Sequence, residues 1–290
     1  MPYFQCGKDS DQNVFYIDNL AKDKKNEMLF FIHGWYQNSR EAFDPLINHF
    51  ESRYRILALD LPGHGASYKH RTGEYSLLSA FRCAEDLLFR LTSPKDSVSV
   101  IGHSLGSFIA AKLALLHPKK ISRAVYISPV FSFKPYEKKM ALWSKLPLWL
   151  WPLFMRSMAF FQLFPYGDRK YLFTSSEEKL PSIMEYYEMK TANHPHFAAQ
   201  SYLRSFLGQD ILKFLPQISI PTLVIYGGRD KTTPYEEKLA KNYLMHTEIE
   251  IIPQAGHNVQ LSHSHAVIEK IENFLARHKG KKNFWQKLLS

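Results

Sequence analysis

The stretch that most restricts what this chain can fold into is Val98 to Ala110, Val-Ser-Val-Ile-Gly-His-Ser-Leu-Gly-Ser-Phe-Ile-Ala. A short β-branched run meets a serine flanked by two glycines and then turns helical, so the segment reads as strand, tight turn and helix with Ser104 at the turn. A serine held there adopts a strained backbone that lifts its hydroxyl clear of the sheet, and Gly102 and Gly106 remove side chains that would collide. The helix, Leu105 to about His117, points its N-terminus at the same spot. Backbone N–H groups and the positive end of its dipole then face any developing oxyanion. The competing reading is a glycine-rich turn that happens to hold a serine.

Other segments repeat the alternation. Val14 to Ile17 is a short strand candidate, and Met28-Leu29-Phe30-Phe31-Ile32 is an apolar run of strand length suited to a sheet buried on both faces. Ser39 can cap a helix to about Ser52, with Phe43, Leu46, Ile47 and Phe50 at helical spacing. Arg55 to Asp60 is the next strand, Ser76 to Leu91 the next helix, and Ala124 to Ile127 a strand after the serine. Strands alternating with helices imply parallel pairing and a doubly wound α/β fold. With 290 residues and 45% hydrophobic content, one core with an insertion is the expected organisation.

His33-Gly34, the loop Asp60-Leu61-Pro62-Gly63-His64-Gly65-Ala66-Ser67, and Gly102-His103-Ser104-Leu105-Gly106 occur in one order and spacing. On these three motifs the chain resembles the α/β-hydrolase superfamily, over residues 28 to 130 and 216 to 278. The resemblance implies a mostly parallel sheet with a largely helical cap inserted before the last two strands. Residues 1-130 and 216-278 are then the core, 131-215 the cap, and 279-290 a basic tail.

Two further residues complete a catalytic order. Asp230 follows the apolar strand Thr222 to Tyr226 on a glycine turn, where a carboxylate can hold an imidazole in one tautomer. Ser128-Pro129-Val130, after the earlier strand, offers no acid. Among 13 histidines, His257 alone combines a loop after a strand, a preceding glycine and a place after both serine and aspartate. His33, His64 and His103 are read as supports of motif loops, and His263 and His265 as lying at the start of the last helix. The resemblance places the oxyanion donors at the backbone N–H groups of Trp35 and Leu105. No histidine spacing matches a metal site, and neither metal nor cofactor is expected.

Between Ser128 and Pro216 the alternation stops. Leu146 to Pro165 is long enough to span a bilayer and carries only Arg156. A span here would leave Ser104 and the later strands on opposite sides of the membrane. Pro147 and Pro152 would interrupt it, and a central arginine costs a further ~2.5–3.5 kcal/mol. A lid over an apolar pocket, or one lying in a membrane interface, accounts for the same hydrophobicity. Trp149, Trp151 and Phe154 are its candidate substrate contacts.

The net charge of +10 is uneven: residues 1–130 and 216–272 together carry +1, residues 131–215 carry +4, and residues 273–290 carry +5. That argues against a nucleic-acid-binding core and fits peripheral contact of cap and tail with an anionic membrane, as it fits a solvated surface. Cys6 and Cys83 match no metal or redox spacing and are expected as reduced structural thiols in a cytoplasmic setting. Met1 to Lys8 has no secretory-signal pattern.

The expectation is therefore a serine hydrolase acting on carboxylic esters, with a medium or long acyl chain of the monoacylglycerol or lysophospholipid type. An acyltransferase of the same fold, or a non-catalytic binding protein that kept the architecture, is the alternative.

Overall fold

Met28 to Ile32 shows why the sheet is buried on both faces. Met28, Phe30 and Ile32 enter one apolar cluster while Leu29 and Phe31 enter the other, as the two-residue period of a strand requires. The computed structural model describes residues 3–6, 12–19, 27–93, 96–153, 194–244 and 247–279. Its eight strands are β1 (Tyr3–Gln5), β2 (Asn13–Asp18), β3 (Glu27–Ile32), β4 (Arg55–Leu59), β5 (Ser97–His103), β6 (Ile121–Ile127), β7 (Thr222–Gly227) and β8 (Glu248–Ile252). They form one sheet in the order β1-β2-β4-β3-β5-β6-β7-β8. From β4 to β8 across that order every pairing is parallel, and β1 and β2 add an antiparallel edge.

Helices α1 (Ser39–Phe50), α2 (Leu77–Leu91) and α3 (Leu105–Leu116) divide between the two faces. Leu87, Ile109 and Leu113 of α2 and α3 cover one face, and Phe43, Leu46 and Phe50 of α1 cover the other. The cap of α1 is Asn38 rather than Ser39, since its side chain accepts the Glu41 N–H. Ser39 is instead tied to Asp60, whose Oδ1 accepts the Ser39 N–H at 2.8 Å and whose Oδ2 accepts the Ala66 N–H at 2.8 Å. This one buried carboxylate fastens the 61–67 loop to the start of α1.

Between β6 and β7 the described residues form only helices and turns: α4 (Glu137–Trp143), α5 (His196–Phe206), and short 3-10 turns at Lys134–Tyr136, Leu148–Leu150 and Leu212–Gln217. The two ends of the insertion meet in an isolated bridge between Ser132 and Asp210 and in the stacked rings of Phe133 and Phe206, 4.5 Å apart. After β7 come α6 (Glu237–Tyr243), α7 (Val259–Ser262) and α8 (Ser264–Arg277). Most of the apolar stretch 146–165, including Phe154, lies outside the described residues, as does the tail from 280 onward. Among the described residues no helix is long and apolar enough to cross a membrane.

The reading of the cysteines is corrected. Cys6 and Cys83 form a disulfide with their Cα atoms 5.5 Å apart. Cys6 follows the short edge strand β1 and Cys83 lies on the buried face of α2, so tertiary packing brings together residues 77 apart in sequence. Spacing arguments see only local pairs, and the inference of a reducing compartment loses its premise.

Candidate active site

Ser104 stands between the last residue of β5 and the first of α3 with φ 51° and ψ −117°, a conformation few L-residues adopt. Glycine makes the turn possible at two points. A Cβ on Gly102 would lie 2.5 Å from the Gly106 carbonyl oxygen, and one on Gly106 would lie 2.0 Å from that of Ile32. The helix therefore sits directly on β5 and on the end of β3. The turn is held by Ser104 N–H, which donates to the Ile127 carbonyl at 2.9 Å.

The three chain segments chosen from sequence converge here. His257 Nε2 lies 3.0 Å from Ser104 Oγ, and His257 Nδ1 lies 2.8 Å from Asp230 Oδ2. The Asp230 side chain is fully buried and that of His257 is 18% exposed. Burial alone would raise the Asp230 pKa. The neighbouring His257 charge, its hydrogen bond, and hydrogen bonds from Thr233 outweigh burial and hold the carboxyl well below the usual range. An ionised Asp230 can only accept, so it fixes the His257 proton on Nδ1 and leaves Nε2 free to accept from the serine.

Thr233 escaped sequence reasoning. Its hydroxyl donates to Asp230 Oδ2 at 2.7 Å, and the N–H groups of Thr232 and Thr233 donate to Oδ1 at 2.8 and 2.9 Å. The signal was available: an aspartate followed at two and three residues by threonines is an Asx-turn pattern that locks the carboxylate.

The loop 33–37 after β3 lies against the serine. A Cβ on Gly34 would be 3.2 Å from the Ser104 Cβ, so Trp35 begins beside Ser104. Leu105 opens α3, where the first N–H groups have no partner within the helix. His33 accepts the Leu61 N–H through Nε2 at 2.9 Å, and His64 Nδ1 lies 2.9 Å from the Pro62 carbonyl. Both histidines thus brace their loops.

The cap candidates divide. Trp149 is 76% exposed and Trp151 is fully buried, its ring 6.5 Å from that of His196. The aromatic contacts of the 33–37 loop come from elsewhere. The Trp35 ring meets Tyr36 at 5.3 Å and Phe206 at 6.0 Å, and Phe206 stacks on Phe133. Sequence offered no cue for Phe206, which meets Trp35 because α5 packs against α2 and α4. Among the described residues no cluster of His, Cys, Asp or Glu is arranged to hold a metal ion.

The sequence matches the family model of the alpha/beta hydrolase fold over residues 27–264. The chain belongs to that family. Within it, the chain is similar to a pimeloyl-[acyl-carrier protein] methyl ester esterase of Wigglesworthia glossinidia brevipalpis, 29% identical over an alignment of 260 residues that covers 86% of this chain and 93% of the relative. A hydrolase from Pseudomonas aeruginosa superposes with a TM-score of 0.73 at 22% identity, covering 94% of this chain and 97% of its own. The enol-lactonase of Burkholderia xenovorans does so with a TM-score of 0.73 at 16% identity, covering 95% and 100%.

Proposed function

We propose that the chain is a carboxylic ester hydrolase working through an acyl-enzyme on Ser104. The observation that carries this reading is the unbroken line from Asp230 Oδ2 through His257 to Ser104 Oγ, with steps of 2.8 and 3.0 Å. Ser104 Oγ attacks the ester carbonyl carbon while its proton passes to His257 Nε2. The bond to the alcohol oxygen breaks as His257 returns that proton to it. Water then repeats the sequence on the acyl-serine, releasing the acid and restoring the serine. Asp230 orients the ring and stabilises its protonated form, and the N–H groups of Trp35 and Leu105 face the oxyanion.

For the substrate we infer a medium or long acyl chain. Support comes from the apolar cluster of Trp35, Phe206 and Phe133, whose rings pack between the 33–37 loop and the insertion. The relatives' named substrate, a methyl ester on a carrier-borne acyl group, supports ester chemistry more directly than it supports a glycerolipid. Hydrolysis of p-nitrophenyl esters from acetate to palmitate tests this. The rate is expected to rise with chain length and to fall by at least about 10³-fold in Ser104→Ala. A preference for acetate would remove the acyl-pocket reading while leaving the catalytic line in place. Silence in the native protein would return the acyltransferase and binding readings.

Contact with an anionic membrane is proposed for the cap. Among the described residues, Leu142, Leu148, Trp149 and Leu153 are large apolar side chains exposed within twelve positions. Lys138, Lys139 and Lys145 are exposed beside them in sequence. An apolar ridge among lysines suits the border of an anionic bilayer. Neutralising Lys138 and Lys139 as glutamines is expected to weaken co-sedimentation with phosphatidylserine vesicles about thirtyfold, at about 1 kcal/mol per charge. Unchanged binding in that variant and in Trp149→Ser would exclude the cap from membrane contact.

A further inference from the structure

His103 and Gln37 stand outside the line from Asp230 to Ser104, yet they are only 1% and 7% exposed and their polar atoms all meet other loops of the site. Gln37 Nε2 donates to Asn258 Oδ1 at 2.9 Å. Gln37 Oε1 accepts the Gly34 N–H at 3.1 Å and faces His103 Nδ1 at 2.8 Å. His103 Nε2 lies 3.1 Å from the carbonyl oxygen of His257, and the rings of His103 and His257 pack with centroids 5.1 Å apart. Three segments therefore share one buried chain of hydrogen bonds. They are the 33–37 loop that carries Trp35, the turn that carries Ser104, and the loop after β8 that carries His257.

The His257 carbonyl can only accept, so His103 Nε2 bears a hydrogen. With the Gln37 oxygen toward it, His103 Nδ1 must also donate, which makes the ring a cation. With the carboxamide turned over, its NH₂ donates to a bare Nδ1, its oxygen faces Asn258, and the Gly34 N–H loses this acceptor. Burial first, then the neighbouring His257, lowers the His103 pKa to about 3, which favours the neutral ring near neutral pH. In both arrangements the bond from His103 Nε2–H to the His257 carbonyl survives. That bond is the constant part of the network.

We infer that His103 and Gln37 are positioning residues, which tie the main chain of the His257 loop to the loop bearing Trp35 and so set where the imidazole meets Ser104. This inference rests on the acyl-transfer reading. Neither residue needs to touch substrate, so their loss is expected in the chemical step rather than in binding. A displacement of about 1 Å between base and nucleophile costs on the order of 10²-fold in rate.

The test compares the native protein, His103→Leu, His103→Gln and Gln37→Leu. The readouts are kcat, KM and the second-order rate of Ser104 labelling by a fluorophosphonate, with thermal unfolding alongside. Leucine removes the Nε2 donor, whereas glutamine places its own Nε2 near the same point. In His103→Leu, kcat and labelling are expected to fall together by about thirtyfold, with KM within about twofold of native. His103→Gln is expected to recover to within about threefold of native, a rescue that shape alone does not provide. Gln37→Leu, which cuts the links to His103 and Asn258, is expected to lose about tenfold in kcat and decides the matter should His103→Leu fail to fold. Native kcat and labelling in either leucine variant overturns the inference, as does a glutamine variant as slow as the leucine one. A native protein that fails to label at Ser104 removes the acyl-transfer reading itself, an outcome distinct from unequal or equal labelling among variants.

Discussion

Replacing Asp230 by asparagine is expected to lower kcat about 10⁴-fold while leaving the protein folded. Asparagine keeps an oxygen to accept the N–H groups of Thr232 and Thr233, which now bond Oδ1 at 2.8 and 2.9 Å. With that oxygen so committed, the amide nitrogen occupies the place of Oδ2 and presents hydrogens to His257 Nδ1. The ring must then accept at Nδ1 and carry its proton on Nε2, where it can no longer take one from Ser104. The loss thus arises from the wrong tautomer and not from a missing contact. Steady-state kinetics with thermal unfolding on the same samples separates the two. A variant within tenfold of native would exclude Asp230 as the orienting acid.

The same substitution carries a pH signature. The folded-state pKa of Asp230 is depressed, because His257 and the Thr233 hydrogen bonds outweigh burial. A depressed carboxyl contributes stability that is complete above its unfolded value of about 4 and is lost as pH falls below it toward the folded value. The stability advantage of native protein over Asp230→Asn is therefore expected to be constant near neutrality and to shrink below about pH 4. Urea midpoints across that range report the sign directly.

Gly106→Ala is expected to cost more than about 4 kcal/mol or to abolish folding. Its Cβ would lie 2.0 Å from the Ile32 carbonyl oxygen, 2.6 Å from that carbonyl carbon and 2.7 Å from the His33 carbonyl oxygen. All three are backbone atoms of β3 and its loop, which cannot rotate away as a side chain would. Relief requires α3 to lift from the sheet, which also parts Ser104 from the loop carrying Trp35. Gly208→Ala is the control: its φ of 73° is strained for alanine, but nothing lies within 4 Å of the added carbon. The control is expected to lose about 1 kcal/mol. Equal denaturation midpoints for the two variants would show that the close approach of α3 to β3 is not what Gly106 serves.

These two sites also mark what was legible from residues alone. The run Met28 to Ile32, the strand before Gly102 and the glycines at 102 and 106 are local patterns, each bearing on a strand, a turn or a helix start within a few residues. The alternation of such patterns implied a doubly wound sheet, and the sheet formed is of that class, with β3 to β8 parallel. In a parallel sheet the loops at the carboxyl ends of the strands share one edge, so order along the chain was enough to propose Ser104, Asp230 and His257 together.

Tertiary structure decided what depends on elements crossing one another. The Cys6–Cys83 disulfide, the reach of Phe206 to Trp35, and the junction of Gln37, His103 and Asn258 join residues far apart in sequence. No periodicity or spacing encodes such meetings, because each depends on how a helix or an edge strand is laid over the sheet. Trp149 shows the same limit: a tryptophan in an apolar stretch reads as a pocket residue, but the turn at Leu148–Leu150 faces it to solvent. By itself the sequence determined the strand-and-turn frame and the order of Ser104, Asp230 and His257 along it, since strands and turns are set by local backbone chemistry. Which side chains brace, line or cross-link that frame was decided by packing, since burial assigns partners by proximity in space.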